Sequence, residues 1–162
     1  MITYNFMTGI RALFDGGSPY RLTSGNYQSK SAYEATNYWK YKADGGKDYT
    51  FSDQANRLLL GTGDTPESPE DYKLAELTTD YTVLSSTKTL SGEYGKEAVI
   101  YSRVIQAGES GLTIKEQGLV LGLSGFSILI ARDVLPEPVV LQPGEKHTFT
   151  MTIGLELSLI HI

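Results

Sequence analysis

Few side chains in this chain are of a kind that does chemistry, and their contexts limit what that chemistry can be. There are two histidines and no cysteine. Composition therefore excludes disulfides, thiolate nucleophiles and cysteine-based zinc sites. Two imidazoles cannot build a histidine-rich metal site. His147 stands at the start of a strand-like run, beside Pro143-Gly144-Glu145, where a rim residue half covered by a loop is expected. Gly122-Leu123-Ser124-Gly125 lacks the spacing of a nucleophile elbow and reads as a strand-to-strand turn. Gly61-Thr62-Gly63 begins like a dinucleotide fingerprint, but no third glycine or long helix follows.

The carboxylates need more discrimination. Asp64, Glu67, Glu70 and Asp71 are dense enough to suggest a hard-cation loop, yet the alternating spacing and glycine of a calcium loop are missing. Pro66 and Pro69 make the stretch a solvated turn instead. Carboxylate pairs for glycoside hydrolysis abound in composition, but apolar surroundings single out no such pair. Glu116 and Arg132 each sit among mostly apolar neighbours. Glu116 could be an acid. The expected role is a structural ion pair with Arg132, because a charge carried into a sheet must find an opposite one. No catalytic residue, cofactor or metal site is expected.

Aromatics supply the remaining candidates. Six of the eleven tyrosines fall in residues 18–53. Tyr20, Tyr27, Tyr33, Tyr38, Trp39, Tyr41 and Tyr49 are interleaved with Lys30, Lys40, Lys42 and Lys47. Such a set could stack on sugars or single-stranded nucleic acid, form a protein contact patch, or simply pack on the body. Tyr33, Tyr38, Trp39, Tyr41 and Tyr49 are the candidate contact surface.

The elements that must carry these residues are mostly strands. Phe6, Ile10, Leu13 and Phe14 recur at helical spacing until Gly16-Gly17, which predicts a helix over the first fourteen residues. A strand through Ile2, Tyr4 and Phe6 competes with it. Asp44-Gly45-Gly46 predicts a hairpin that pairs Tyr41 with Tyr49 and Trp39 with Phe51. Residues 57–61 (RLLLG) read as a short buried strand, and Ser68-Pro69-Glu70-Asp71 as the start of a one-turn helix. Strands are then expected near 81–90, 97–106, 112–123, 126–135, 139–141 and 147–156, with glycine and proline at the junctions. In the last of these, Phe149, Met151, Ile153 and Leu155 should face inward and Thr148, Thr150, Thr152 and Glu156 outward. Residues 126–131 are apolar on both faces, so that strand should be central and covered.

The expected fold class is mainly β: a two-sheet antiparallel β-sandwich, Ig-like or jelly-roll-like, with a short N-terminal helix. Its parts are a helix at 1–17, a Tyr-rich hairpin appendage at 18–56 and a sandwich body at 57–156. Residues 157–162 (LSLIHI) match the translation of a transposon-end sequencing adapter and are expected to be an artefact. The net charge of −5 is uneven. Residues 1–60 carry seven Lys/Arg against five Asp/Glu, whereas residues 61–162 carry seven against fourteen. An acidic body argues against duplex nucleic acid, which needs clustered cations. No apolar run approaches the roughly 20 residues of a membrane-spanning helix, so membrane insertion is not expected.

From Leu58 to Glu156 the chain reads LLLGTGDTPESPEDYKL, then LTIKEQGLVLG, then SILIARDVLPEPVVLQPGEKHTFTMTI. This order of turn and strand motifs resembles small structural proteins of tailed bacteriophages, of the tail-fibre, receptor-binding or head-fibre kind. The resemblance covers about 100 of the 162 residues. It implies a non-enzymatic virion structural or attachment protein that forms a homo-oligomer. The implied partners are other virion proteins and a host-surface glycan or protein, and the implied location is the virion, assembled in the host cytoplasm. The alternative is a carbohydrate-binding or adhesion module of a bacterial surface protein.

Overall fold

A computed structural model of the protein describes residues 1–15, 17–31, 56–93, 96–123 and 126–156. One helix, α1 (Tyr4–Asp15), precedes a hairpin of β1 (Gly17–Arg21) and β2 (Tyr27–Ser31). Six further strands follow: β3 (Asn56–Gly61), β4 (Tyr81–Glu93), β5 (Lys96–Ala107), β6 (Leu112–Leu123), β7 (Phe126–Leu141) and β8 (Lys146–Glu156). They form two antiparallel three-stranded sheets, ordered β3-β6-β7 and β4-β5-β8. Within each sheet, strands three apart in sequence pair: β3 with β6, and β5 with β8.

The sandwich follows from alternation. In β5 every second residue from Tyr101 to Ala107 is buried, and in β8 Phe149 and Met151 are buried while Thr148, Thr150 and Thr152 are exposed. These side chains meet Leu58, Leu60, Ile114, Leu119, Ile128 and Ile130 of the other sheet in one core. The inward row is not wholly apolar. Arg103 lies buried between Tyr101 and Ile105, its Nε donating to Ser86 Oγ at 3.1 Å. Gln117 Nε2 donates to the Thr150 carbonyl at 3.2 Å, a tie from one sheet to the other.

Besides the long crossing from β3 to β4, the chain changes sheet at two tight corners, residues 108–111 and 142–145. Each corner holds a glycine at positive φ, Gly111 at 70° and Gly144 at 74°, where a side chain would be strained. The corners bond to each other's strands: Ala107 N–H donates to the Glu145 carbonyl, and Gly144 N–H to the Ala107 carbonyl.

Several expectations are corrected. Residues 126–135 and 139–141 are parts of one strand, because Pro136 and Pro138 fall in a bulge: Ile114 pairs with Val139 and Glu116 with Val134, leaving 135–138 outside the ladder. Proline, which has no N–H to donate, is tolerated there. That strand is also not central. It is the outer strand of its sheet, and the N-terminal residues cover its edge: Ile2 bridges Ala131, Thr3 N–H donates to the Ile130 carbonyl and Arg132 N–H to the Met1 carbonyl. The helix therefore begins only at Tyr4, and its Phe6 joins the sandwich core. Ser68–Asp71 make a turn rather than a helix start. The β1–β2 hairpin was not expected, although Thr23-Ser24-Gly25-Asn26 is a turn signal. The 39–51 hairpin and residues 157–162 lie outside the described residues.

Burial has one pH consequence. It pushes the Tyr101 phenol from 10.0 up to about 12, because the phenolate would lose its hydration. Stability that depends on the neutral phenol is complete below pH 10 and is lost as pH rises towards 12. The loss from this group should be roughly 2–3 kcal/mol. Urea unfolding of Tyr101→Phe should show a flatter alkaline decline than the native chain, and an identical decline would place the phenol in water.

Candidate functional site

The most elaborate polar arrangement lies on the outer face of the β3-β6-β7 sheet, under residues 62–80. A bulge after Ile114 reverses the parity of β6. Gln117 and Leu119 then face the core, while Glu116 and Gly118 face out. Arg132 is the register partner of Gly118. Gly118 leaves room for Leu74 of the overlying loop, since a Cβ there would come within 2.6 Å of Leu74 Cδ2, and the guanidinium reaches along the sheet to Glu116. Arg132 Nε donates to Glu116 Oε2 at 2.7 Å, with side-chain exposures of 2% and 0%.

The other partners of the pair come from the overlying loop. Glu116 accepts from Glu76 N–H at 2.7 Å and from Ala75 N–H at 3.1 Å. Arg132 donates to Asp71 Oδ2 and to the Thr65 carbonyl, both at 2.9 Å, and to the Pro66 carbonyl at 3.4 Å. Asp71 Oδ2 in turn accepts from Ser68 N–H at 2.9 Å. Burial works against the charge on Arg132, but the hydrogen bonds and charges of Glu116 and Asp71 outweigh it and hold its pKa above the ordinary value. The loop is thus folded around an ion pair, and its backbone amides and carbonyls are the partners that keep two buried charges satisfied.

The glycines once suggestive of a phosphate cradle have another use. A Cβ on Gly61 would come within 2.5 Å of Glu116 Oε1, and one on Gly63 within 2.8 Å. They give the carboxylate room. The acidic stretch is likewise shared out. Asp64 pairs with Lys115 at 3.0 Å, and that hydrogen bond lowers its pKa. Glu67 accepts from Val134 N–H at 2.6 Å, and Asp71 serves Arg132. Among the described residues no group of three His, Asp or Glu side chains is placed to hold a metal ion.

A second cluster stands where the β1–β2 hairpin meets this loop. Arg21 lies with its guanidinium carbon 3.8 Å from the Tyr72 ring centroid and 5.9 Å from that of Tyr27. Asn5 fixes the backbone of Arg21 from both sides, accepting from its N–H at 2.8 Å and donating to its carbonyl at 2.7 Å. Sequence reasoning missed this cluster, since Tyr72 is about fifty residues from its partners and only the fold brings them together.

His147 is half-buried on the rim, its ring tilted against Phe149 at 4.8 Å. Tyr33, Tyr38, Trp39, Tyr41 and Tyr49 lie outside the described residues. No helix of the described residues is long and apolar enough to cross a membrane. No protein-family model, curated protein or solved structure matches the chain.

Proposed function

We propose that the protein is a non-enzymatic structural or attachment component of a tailed-phage particle, of the fibre, decoration or receptor-binding kind. The carrying observation is the use made of its buried acid–base pair. Glu116 and Arg132 are bound to each other, to loop backbone and to Asp71, so the pair is engaged in holding a shape. A rigid antiparallel sandwich with a clamped surface loop suits a body that presents contacts. The motif run from Leu58 to Glu156, with its resemblance to phage structural proteins, points the same way.

Point attachment to a particle gains from several copies acting together. Light scattering at micromolar concentration should therefore report a homo-oligomer, and immunogold labelling should decorate particles of the parent phage. A monomer with measurable glycoside hydrolysis would overturn the reading. The second reading, a carbohydrate-binding or adhesion module of a bacterial surface protein, is favoured by the exposed Tyr27 ring beside Arg21. A gene neighbourhood of surface-protein genes, without portal, capsid or tail genes, would select it.

A further inference from the structure

Arg21 is a half-buried cation with no anion among the described residues. Among the described residues no carboxylate pairs with its guanidinium and no acceptor takes a hydrogen bond from it, and its Nε is buried without a partner. A guanidinium presents five N–H donors in one plane, and since Nε has no accessible surface, an external acceptor must use those of the terminal nitrogens. The buried Arg132, by contrast, donates to two carboxylates and two carbonyls.

The surroundings define what would complete Arg21. Tyr72 covers one face of the guanidinium, so an acceptor must approach along its edge. Lys73 adds a second cation, its Nζ 5.7 Å from the Tyr72 ring centroid. Tyr27 is 69% exposed and offers a free aromatic face next to the charge. Gly25, at φ 90°, brings the hairpin loop against Tyr72; a Cβ there would lie 3.5 Å from Tyr72 Cε2. Two cations on an otherwise acidic body select an anion, and a planar carboxylate fits the fork of a guanidinium better than a spherical ion does. An aromatic face beside that anion adds a surface for the C–H face of a ring.

We propose that Arg21, Tyr27, Tyr72 and Lys73 form a binding site for a carboxylated sugar, a uronate-type residue of an acidic surface polysaccharide. The carboxylate pairs with the two terminal nitrogens of Arg21, Lys73 adds long-range attraction, and the sugar ring lies on Tyr27. This rests on the attachment reading and names the ligand chemistry of one contact surface.

The test uses the full chain and a trigalacturonate probe, titrated by calorimetry, with the Arg21 Nε–H signal followed by NMR. Binding should shift that signal, weaken steeply with salt, and disappear for the methyl-esterified trisaccharide. Arg21→Gln should weaken binding about tenfold or more, and Tyr27→Ala severalfold with an unchanged melting temperature. Tyr27 is exposed, so its variant stays informative even if Arg21→Gln is destabilised. Unaltered affinity in both variants, equal binding of the methyl ester, or tighter binding of acetate or an oligoglutamate would overturn the proposal. Particle labelling by the Arg21→Gln protein separates the two readings: labelling that persists while sugar binding is absent from the native chain sinks the site alone.

Discussion

Replacing Arg132 with methionine should lower the unfolding free energy by about 3–5 kcal/mol, because Glu116 would remain as a buried, uncompensated charge. For a chain of this size that corresponds to a fall in melting temperature of roughly 6–20 °C. The double variant Glu116→Leu with Arg132→Met separates two explanations of the effect. Buried ion pairs can often be exchanged for well-packed apolar residues at little cost. Here they should not be. Removing both charges also orphans the amides of Ala75 and Glu76 and the carbonyls of Thr65 and Pro66, which the pair now satisfies. Each orphaned buried group costs about 1–3 kcal/mol. The double variant should thus stay well below the native chain in urea unfolding, with residues 62–80 more open to proteolysis. Full recovery of stability would mean that the loop holds itself and the pair is incidental.

The strand pattern was readable because burial alternates. Residues 112–123 were expected as a strand and form β6, and the inward row of β8 puts Phe149 and Met151 in the core. Local chemistry misled where tertiary structure supplies an alternative. Pro136 and Pro138 looked like a strand end, but a bulge in an outer strand absorbs them. Residues 126–131 looked central because both faces are apolar. The second cover comes from the N-terminal residues and α1, which no periodicity announces. Ser68-Pro69-Glu70-Asp71 carries helix-start residues, but Asp71 is drawn to Arg132, and the segment closes as a turn.

The candidate site was legible in one half only. Glu116 and Arg132 stand out as charges in apolar runs, and that context is visible in sequence. Their third partner, the loop backbone and the glycines that make room for the carboxylate are set by approach distances, which sequence does not encode locally. The Arg21 cluster was hidden for the same reason, since its parts come from a hairpin and a distant loop. A tyrosine count marked residues 18–53 as the aromatic segment, yet Tyr72 lies beyond it.

The sequence Arg57-Leu58-Leu59-Leu60-Gly61 also cannot say which leucines face the core, because three in a row erase the alternation. The structure fixes the register through the strand's far end. Gly61 sits opposite Glu116, where no side chain fits, so Leu60 pairs with Gln117 and Leu58 with Leu119, all facing the core. Leu59 pairs with Gly118 on the outer face and is only partly buried. Leu60→Ala should therefore cost about 2–5 kcal/mol through lost burial and a residual cavity. Leu59→Ala should cost about 1 kcal/mol, since part of that side chain already meets water. Chemical denaturation of the two variants side by side reads the difference directly. A slip of one residue would move the whole hydrophobic set to the other face and reverse their order. It would also drive a leucine side chain into the Glu116 carboxylate, so a larger loss at Leu59 than at Leu60 would refute both the register and the clamp built on it.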